Sequence, residues 1–160
     1  MVLCNFETKE MTTLKKGDQA PNFSGVDQDG KLHSLADYVG KKLVVFFYPK
    51  ANTPGCTAEA CDLRDNFERF QANNYALLGV SADSQKAQGK FKDKFAFPFP
   101  LLADEDKKVI EAFGVWGPKK FMGREYDGIH RTTFVIDEKG IIEEVISDVK
   151  TKAHAAQILG

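Results

Sequence analysis

The apolar residues of this chain recur with two different periods. Leu43-Val44-Val45-Phe46-Phe47-Tyr48 is an unbroken apolar run, which predicts a strand buried on both faces. Ala76-Leu77-Leu78-Gly79-Val80-Ser81 predicts another, and 131–137 and 141–147 predict a further pair turned at Asp137-Glu138-Lys139-Gly140. Between the runs the spacing lengthens: Ala60, Leu63, Phe67 and Phe70 fall three and four apart, the apolar stripe of one helix over 57–72. Helices are also predicted over 85–95, over 106–113 with Gly114 as the stop, and over 152–159, with a short extended piece at 99–102. Ahead of them, 23–35 reads as a hairpin turning at Asp27-Gln28-Asp29-Gly30, since Asp-Gly supplies the positive φ of a tight turn. Strand-helix units followed by a hairpin and a last helix predict an α/β fold: a central mixed β-sheet flanked by helices, with an N-terminal hairpin.

No repeat or linker divides the 160 residues, a length that suits one domain with a real core. Lys plus Arg (22) nearly balances Asp plus Glu (23), so no global field points to nucleic acid or to an acidic membrane. No apolar run approaches the ~20 residues of a membrane span, and the start Met1-Val2-Leu3-Cys4-Asn5-Phe6-Glu7 is too short and acidic for a signal peptide. A cytoplasmic protein is expected. Three cysteines are an odd count, and in a reducing compartment two of them five apart signal chemistry or metal rather than stapling.

That chemistry concentrates where the first buried run ends. Pro49 takes the chain out of the sheet, and Pro54-Gly55 places a rigid corner and a residue without a side chain directly before Cys56. Cys56 therefore opens a helix, where unpaired N–H groups and the positive end of the helix dipole favour a thiolate. Thr53 can donate to that thiolate or accept from a substrate proton, with Phe46, Phe47 and Tyr48 as an apolar wall. Ligands in such folds gather at the carboxyl ends of parallel strands, where the 49–55 loop delivers Cys56. His33, His130 and His154 are scattered without ligand spacing, so neither a metal site nor a Cys-His pair is expected.

The pattern Pro49-x-x-x-Thr53-x-x-Cys56 resembles the active-site signature of the peroxiredoxins. The longer string from Tyr48 through Thr57-Ala58-Glu59-Ala60-Cys61 is similar to the peroxiredoxin Q, or bacterioferritin comigratory protein, subfamily. So are Gly114-Val115-Trp116-Gly117 and Gly128-Ile129-His130-Arg131-Thr132-Thr133-Phe134. The resemblance runs from about Leu14 to the C-terminus, which leaves 1–13 as an N-terminal extension and 14–160 as the domain, with Met1 or Met11 as the native start and Cys4 without a role. It implies a thioredoxin-like fold and a peroxidase without metal or organic cofactor, acting on hydrogen peroxide and organic (alkyl) hydroperoxides. Cys56 would be the peroxidatic cysteine, passing through a sulfenic acid. Thr53 and the Cys56 N–H would position the peroxide, and Arg131 would steady the thiolate and the departing oxygen. Pro49 would shield the pocket, and Glu59 would orient Arg131. Cys61 would be the resolving cysteine, forming a Cys56–Cys61 disulfide that thioredoxin reduces, in a monomer or weak homodimer.

Spacing adds a mechanical demand. Helical residues five apart lie about 140° apart around the axis and on the order of 8 Å from each other, whereas disulfide Cα atoms rarely exceed about 7 Å. The helix must unwind for the bond to form. Thr57, Arg64, Asp65 and Glu68 around Cys61 predict that its thiol sits toward the polar side. Two other functions remain in competition: a thiol-disulfide oxidoreductase or redox sensor on the same fold, against which the four intervening residues weigh because such exchange uses Cys-x-x-Cys, and a structural-disulfide interaction protein.

Overall fold

A computed structural model describes residues 12–160; Cys4 and the alternative starts Met1 and Met11 lie outside the described residues. Five strands form the central sheet in the order β5-β4-β3-β8-β9, with β3 (Lys42–Phe47), β4 (Tyr75–Ser81), β5 (Leu101–Ala103), β8 (Thr132–Ile136) and β9 (Ile142–Ile146). β3, β4 and β5 run parallel, while β8 is antiparallel to β3 and β9 to β8. This is the mixed sheet that the sequence pattern predicts. The N-terminal hairpin is also present, as β1 (Ser24–Val26) and β2 (Leu32–Ser34), with Gly30 at φ +80°.

Alternation along β3 divides the core between the two faces of the sheet. Leu43, Val45 and Phe47 pack with Phe113 and Phe134 on one face. Val44, Phe46 and Tyr48 pack on the other with Cys56, Ala60, Leu63 and Phe70. Phe47 therefore stands on the far side of the sheet from Cys56 and cannot wall its pocket as expected; Phe46 and Tyr48 can. Phe46 finds room because Gly79 faces it in register, where a Cβ would come within 2.8 Å of the ring.

The helix expected over 57–72 is two helices, α1 (Pro54–Asp65) and α2 (Phe67–Ala72). Asn66 makes the break: its side-chain amide donates to the Asp62 carbonyl at 2.9 Å, the acceptor its own N–H would use in a continuing helix, and that N–H goes to Leu63 instead. α3 (Gln85–Phe95) matches expectation. α4 (Lys108–Ala112) begins later than predicted because Lys107 sits in the left-handed region at φ +63°. The closing helix α5 (His154–Leu159) likewise starts two residues late.

A hairpin that the pattern does not reveal lies between them, β6 (Trp116–Phe121) and β7 (Arg124–Ile129). Its two-residue turn, Met122-Gly123, takes positive φ at both positions, a conformation usually marked by Asn-Gly or Asp-Gly. β7 is exposed along most of its length, so no in-out alternation marks it as a strand. Trp116, at the hairpin's base, is partly buried against the core.

Candidate active site

β3 ends at Phe47, and the chain leaves the sheet through Tyr48 and Pro49. Tyr48 is anchored at both ends: its N–H donates to the Val80 carbonyl at 3.1 Å and its hydroxyl to Gln88 Oε1 at 2.6 Å. The loop beyond is held by Asp83, which accepts from the Ala51 N–H at 2.8 Å and from the Ser81 hydroxyl at 2.6 Å. Thr53 then caps α1 with extended backbone, and Pro54 takes the first helical position, where its missing N–H costs nothing. Thr53 spends its hydroxyl proton on the Lys50 carbonyl at 2.8 Å and makes no capping bond. Of the two roles open to it, donor to the thiolate or acceptor from a substrate, this geometry leaves the acceptor role. The first-turn N–H groups of α1 stay open beside Cys56.

Arg131 reaches this helix end from the other side of β3. Thr132 pairs with Phe47, so the residue before it arrives level with the departing loop. Its Nη2 donates to Cys56 Sγ at 3.3 Å and its Nη1 to Glu59 Oε1 at 2.6 Å. One planar guanidinium thus spans a thiol and a carboxylate carried one turn apart on α1. Glu59 has no exposed surface, and burial, opposed by Arg131, pushes its pKa up to about 7. Cys56 is 2% exposed, so reagent access to its sulfur is narrow. Lys119 on β6 adds a second cation at this end of the sheet: its ammonium donates to the Ile129 carbonyl at 2.8 Å, and burial and Arg131 both push its pKa down while Cys56 opposes them. Sequence reasoning passed over Lys119, which lies in the unpredicted hairpin.

Gly55 has its place for steric reasons, since a Cβ there would meet Arg131 Nη2 at 3.2 Å. Gly55→Ala improves helix propensity, yet it pushes the guanidinium off the sulfur. We expect an unchanged or slightly raised melting temperature with peroxide reactivity lowered about ten-fold, the range of one weakened charge-assisted contact. Stopped-flow peroxide consumption beside thermal unfolding checks this, and equal loss of both would refute it.

Cys61 lies on α1 five residues beyond Cys56, and both are free thiols here. Its surroundings correct the expectation of a polar-side thiol: Cys61 is half-buried and packs against the apolar cluster under α1, and that burial raises its pKa, with Arg64 opposing. His33, His130 and His154 sit in three separate networks, on Asp27 and Tyr38, on the Pro118 carbonyl, and on Thr133 and Gln157. His154 comes within 3.5 Å of Glu59, a proximity that no spacing in the sequence reveals.

A thioredoxin-like sheet that presents a cysteine at an open helix N-terminus, faced by an arginine, defines the peroxiredoxin class, and the chain belongs to the AhpC/TSA family, which it matches over residues 16–145. Within that family it falls in the Bcp/peroxiredoxin Q subfamily, and is a thiol peroxidase. It is 50% identical to peroxiredoxin Bcp of Escherichia coli K12 over 149 residues, 93% of this chain and 96% of that one. Peroxiredoxin Bcp of Bacillus subtilis is 47% identical over 147 residues, 92% and 94% of the two chains. Among solved structures, a cysteine-to-serine variant of Xanthomonas campestris peroxiredoxin Q superposes with a TM-score of 0.82 at 33% identity, covering 94% of this chain and 96% of the other. The bacterioferritin comigratory protein of the same organism, described for its alkyl peroxide reduction activity, gives 0.82 at 34% identity over 88% of each chain.

Proposed function

We propose that the chain reduces hydrogen peroxide and organic hydroperoxides through Cys56, with Cys61 resolving the oxidised thiol and thioredoxin restoring it. The observation that carries this reading is the guanidinium of Arg131 held between Cys56 Sγ and the buried Glu59 carboxylate. The Cys56 thiolate gives an electron pair to the terminal peroxide oxygen, the O–O bond breaks, and the leaving alkoxide or hydroxide takes a proton as alcohol or water. Cys56 becomes a sulfenic acid. Arg131 donates to the sulfur before attack and to the charge on the departing oxygen during it. Thr53, its own proton committed to Lys50, accepts from the hydroperoxide O–H, while the open N–H groups at Gly55 and Cys56 hold the second oxygen. Pro49 shields the pocket, and Glu59 fixes the rotation of Arg131.

Cys61 thiolate then attacks the sulfenic sulfur, and the hydroxyl departs as water. The resulting disulfide is returned to two thiols by the dithiol of thioredoxin, which supplies both electrons. A groove lined by Ala51, Asn52, Ala87, Lys90, Phe91, Asp93 and Lys94 runs beside the thiol loop, and Ala51, Ala87 and Phe91 in it suit the alkyl part of an organic hydroperoxide. No helix among the described residues is long and apolar enough to cross a membrane, and we place the protein in the cytoplasm, where thioredoxin is available, as a monomer or weak homodimer.

Both cysteines lie within the regular helix α1, so resolution requires α1 to unwind. Reduced protein treated with one equivalent of hydrogen peroxide should lose two thiols to a Cys56–Cys61 disulfide, read by mass. Its far-ultraviolet signal should fall, and new proteolytic cuts should appear around 56–63. Inertness to peroxide combined with reduction of insulin disulfides would instead support a thiol-disulfide oxidoreductase. A disulfide form with unchanged helix content and cleavage would remove the unwinding step.

A further inference from the structure

Behind the thiol lies a pair of groups, of which the steps above use Glu59 only to orient Arg131 and His154 not at all. Glu59 and His154 are both fully buried. Glu59 Oε2 is, among the described residues, the one buried side-chain oxygen or nitrogen without a hydrogen-bond partner. His154 Nε2 faces it at 3.5 Å. The tautomer of this ring is fixed by its neighbours. Gln157 donates from Nε2 to the Asp148 carbonyl and accepts at Oε1 from the Lys150 N–H, so Oε1 meets His154 Nδ1 at 2.7 Å as an acceptor and Nδ1 carries the hydrogen. In the neutral ring Nε2 therefore presents a lone pair, which takes the Thr133 hydroxyl at 2.8 Å. A carboxylate oxygen facing that lone pair in a dry interior is repelled by it, and one proton between them turns repulsion into attraction.

We propose that Glu59 and His154 share one buried proton that holds the segment carrying both cysteines closed against the C-terminal helix, which makes His154 a positioning residue of the thiol site. Of the two contacts between these helices, the one made by Glu59 lies in the stretch that must move, and the one made by Asp62 borders it. Glu59 and Asp62 are both on α1; Glu59 meets His154, and Asp62 Oδ2 accepts from the Ala155 N–H at 2.7 Å. Unwinding α1 from Cys56 toward Cys61 takes Glu59 away from His154 and from Arg131 together. The inference rests on the reading that Cys61 resolves Cys56, since only that step requires the unwinding.

The charged and titratable groups around the pair fix where the proton resides. Arg131, ahead of β8, favours ionised Glu59, but burial outweighs it and keeps the carboxyl protonated up to about pH 7. On His154, burial lowers the pKa, the Gln157 hydrogen bond and Asp62 on α1 raise it, and Arg131 lowers it again, with the balance toward the neutral ring. Cys56 on α1 and Lys119 on β6 both neighbour Arg131, the cation next to the pair. The proton therefore sits on Glu59, aimed at His154. When α1 opens, Glu59 reaches water and returns to its ordinary value of 4.5. The closed state then binds the extra proton, so its advantage is fully present below 4.5 and is lost as pH rises to about 7. Opening should become roughly fifty-fold more favourable between about pH 5 and pH 8 by that linkage.

Hydrogen exchange of the α1 amides in the intact reduced protein, corrected for intrinsic rates, reads this opening directly. The wild type should show the rise, with its midpoint below neutrality. Glu59→Gln replaces the proton by a permanent N–H, and should flatten the rise to less than about three-fold. His154→Gln offers the carboxylate a donor that does not titrate and should move the transition to lower pH. Should that variant not fold, Thr133→Val frees the Nε2 lone pair for Glu59 and should move the transition to higher pH. A flat wild-type profile, or a midpoint unmoved in a folded His154 or Thr133 variant, overturns the proposal. Exchange is measured without peroxide: a pH-dependent opening in a protein that never forms the disulfide would support the shared proton and refute the resolving role of Cys61.

Discussion

Arg131→Met is expected to lower kcat/KM for hydroperoxide by about two to three orders of magnitude, the range found when a positioned donor to developing charge is removed. Methionine keeps most of the side-chain volume and removes every N–H. The loss should fall on the peroxide step itself, visible in single-turnover sulfenic acid formation with no thioredoxin present. Stability should respond in a pH-dependent way that an ordinary surface change would not reproduce. Arg131 is the cation that lowers the pKa of Glu59, so without it the buried carboxyl stays protonated to higher pH. At about pH 5 the variant carries Glu59 neutral and unfolds almost as the wild type does. As pH rises from the unfolded carboxyl value of 4.5 through the folded value, the wild type loses less stability than the variant, whose folded carboxyl titrates later. Denaturant unfolding should give a difference between the two proteins that opens from near zero at pH 5 to about 1 kcal/mol at pH 8, the most that a wild-type folded value of about 7 allows by that pH. Equal destabilisation at both pH values would mean that Glu59 does not depend on Arg131. Arg131→Lys should recover only part of the activity, because a single ammonium cannot span Sγ and Oε1 as the fork does.

Cys61→Ser should leave the first turnover intact and stop the cycle after it. The serine is nearly isosteric, and the hydrogen bonds of Arg131, Thr53 and Cys56 Sγ do not involve Cys61. One equivalent of peroxide should therefore be consumed at close to the wild-type rate, with a stable sulfenic acid on Cys56. Steady-state turnover with thioredoxin should fall at least about a hundred-fold, since the reductant would have to reach the sulfenic sulfur of the buried Cys56 instead of a disulfide brought out by unwinding. The half-buried position of Cys61 adds a second expectation. Its thiol is held above its ordinary pKa by burial, so it becomes a nucleophile as the helix opens and brings it to water. Disulfide formation in the wild type should therefore track α1 opening, and any substitution that loosens α1 without touching the site should speed it. Unchanged thioredoxin-coupled turnover in Cys61→Ser would leave this cysteine without a resolving role.

The reach of the sequence was uneven, for physical reasons. The buried strands are visible because a strand covered on both faces is apolar at every position, as 43–48 shows, and the layered α/β architecture follows from their order. The thiol loop is visible because Pro49, Pro54 and Gly55 restrict the chain wherever they stand. Asn66 was not legible as a helix break: the stripe from Ala60 to Phe70 continues across it in both helices, and only a side-chain bond to the Asp62 carbonyl interrupts the ladder. The hairpin 116–129 was missed because it faces solvent on most positions and turns on Met122-Gly123. The site divides in the same manner. Arg131 could be nominated only through its resemblance, since 75 positions separate it from Cys56. His154 could not be nominated at all. Its meeting with Glu59 depends on how α5 docks on α1, and that is a product of the whole fold.

The joint at Asn66 bears on how α1 re-forms after each cycle. Starting a helix is far costlier than extending one, with a nucleation factor of order one in a thousand. The last turn of α1 does not have to be started anew: Leu63 is wholly buried, the Asn66 N–H holds its carbonyl, and α2 beyond is pinned separately by Phe70. That turn is a standing nucleus on which the segment back to Pro54 can zip, at about nanoseconds per residue. Rewinding then takes a negligible part of a catalytic cycle.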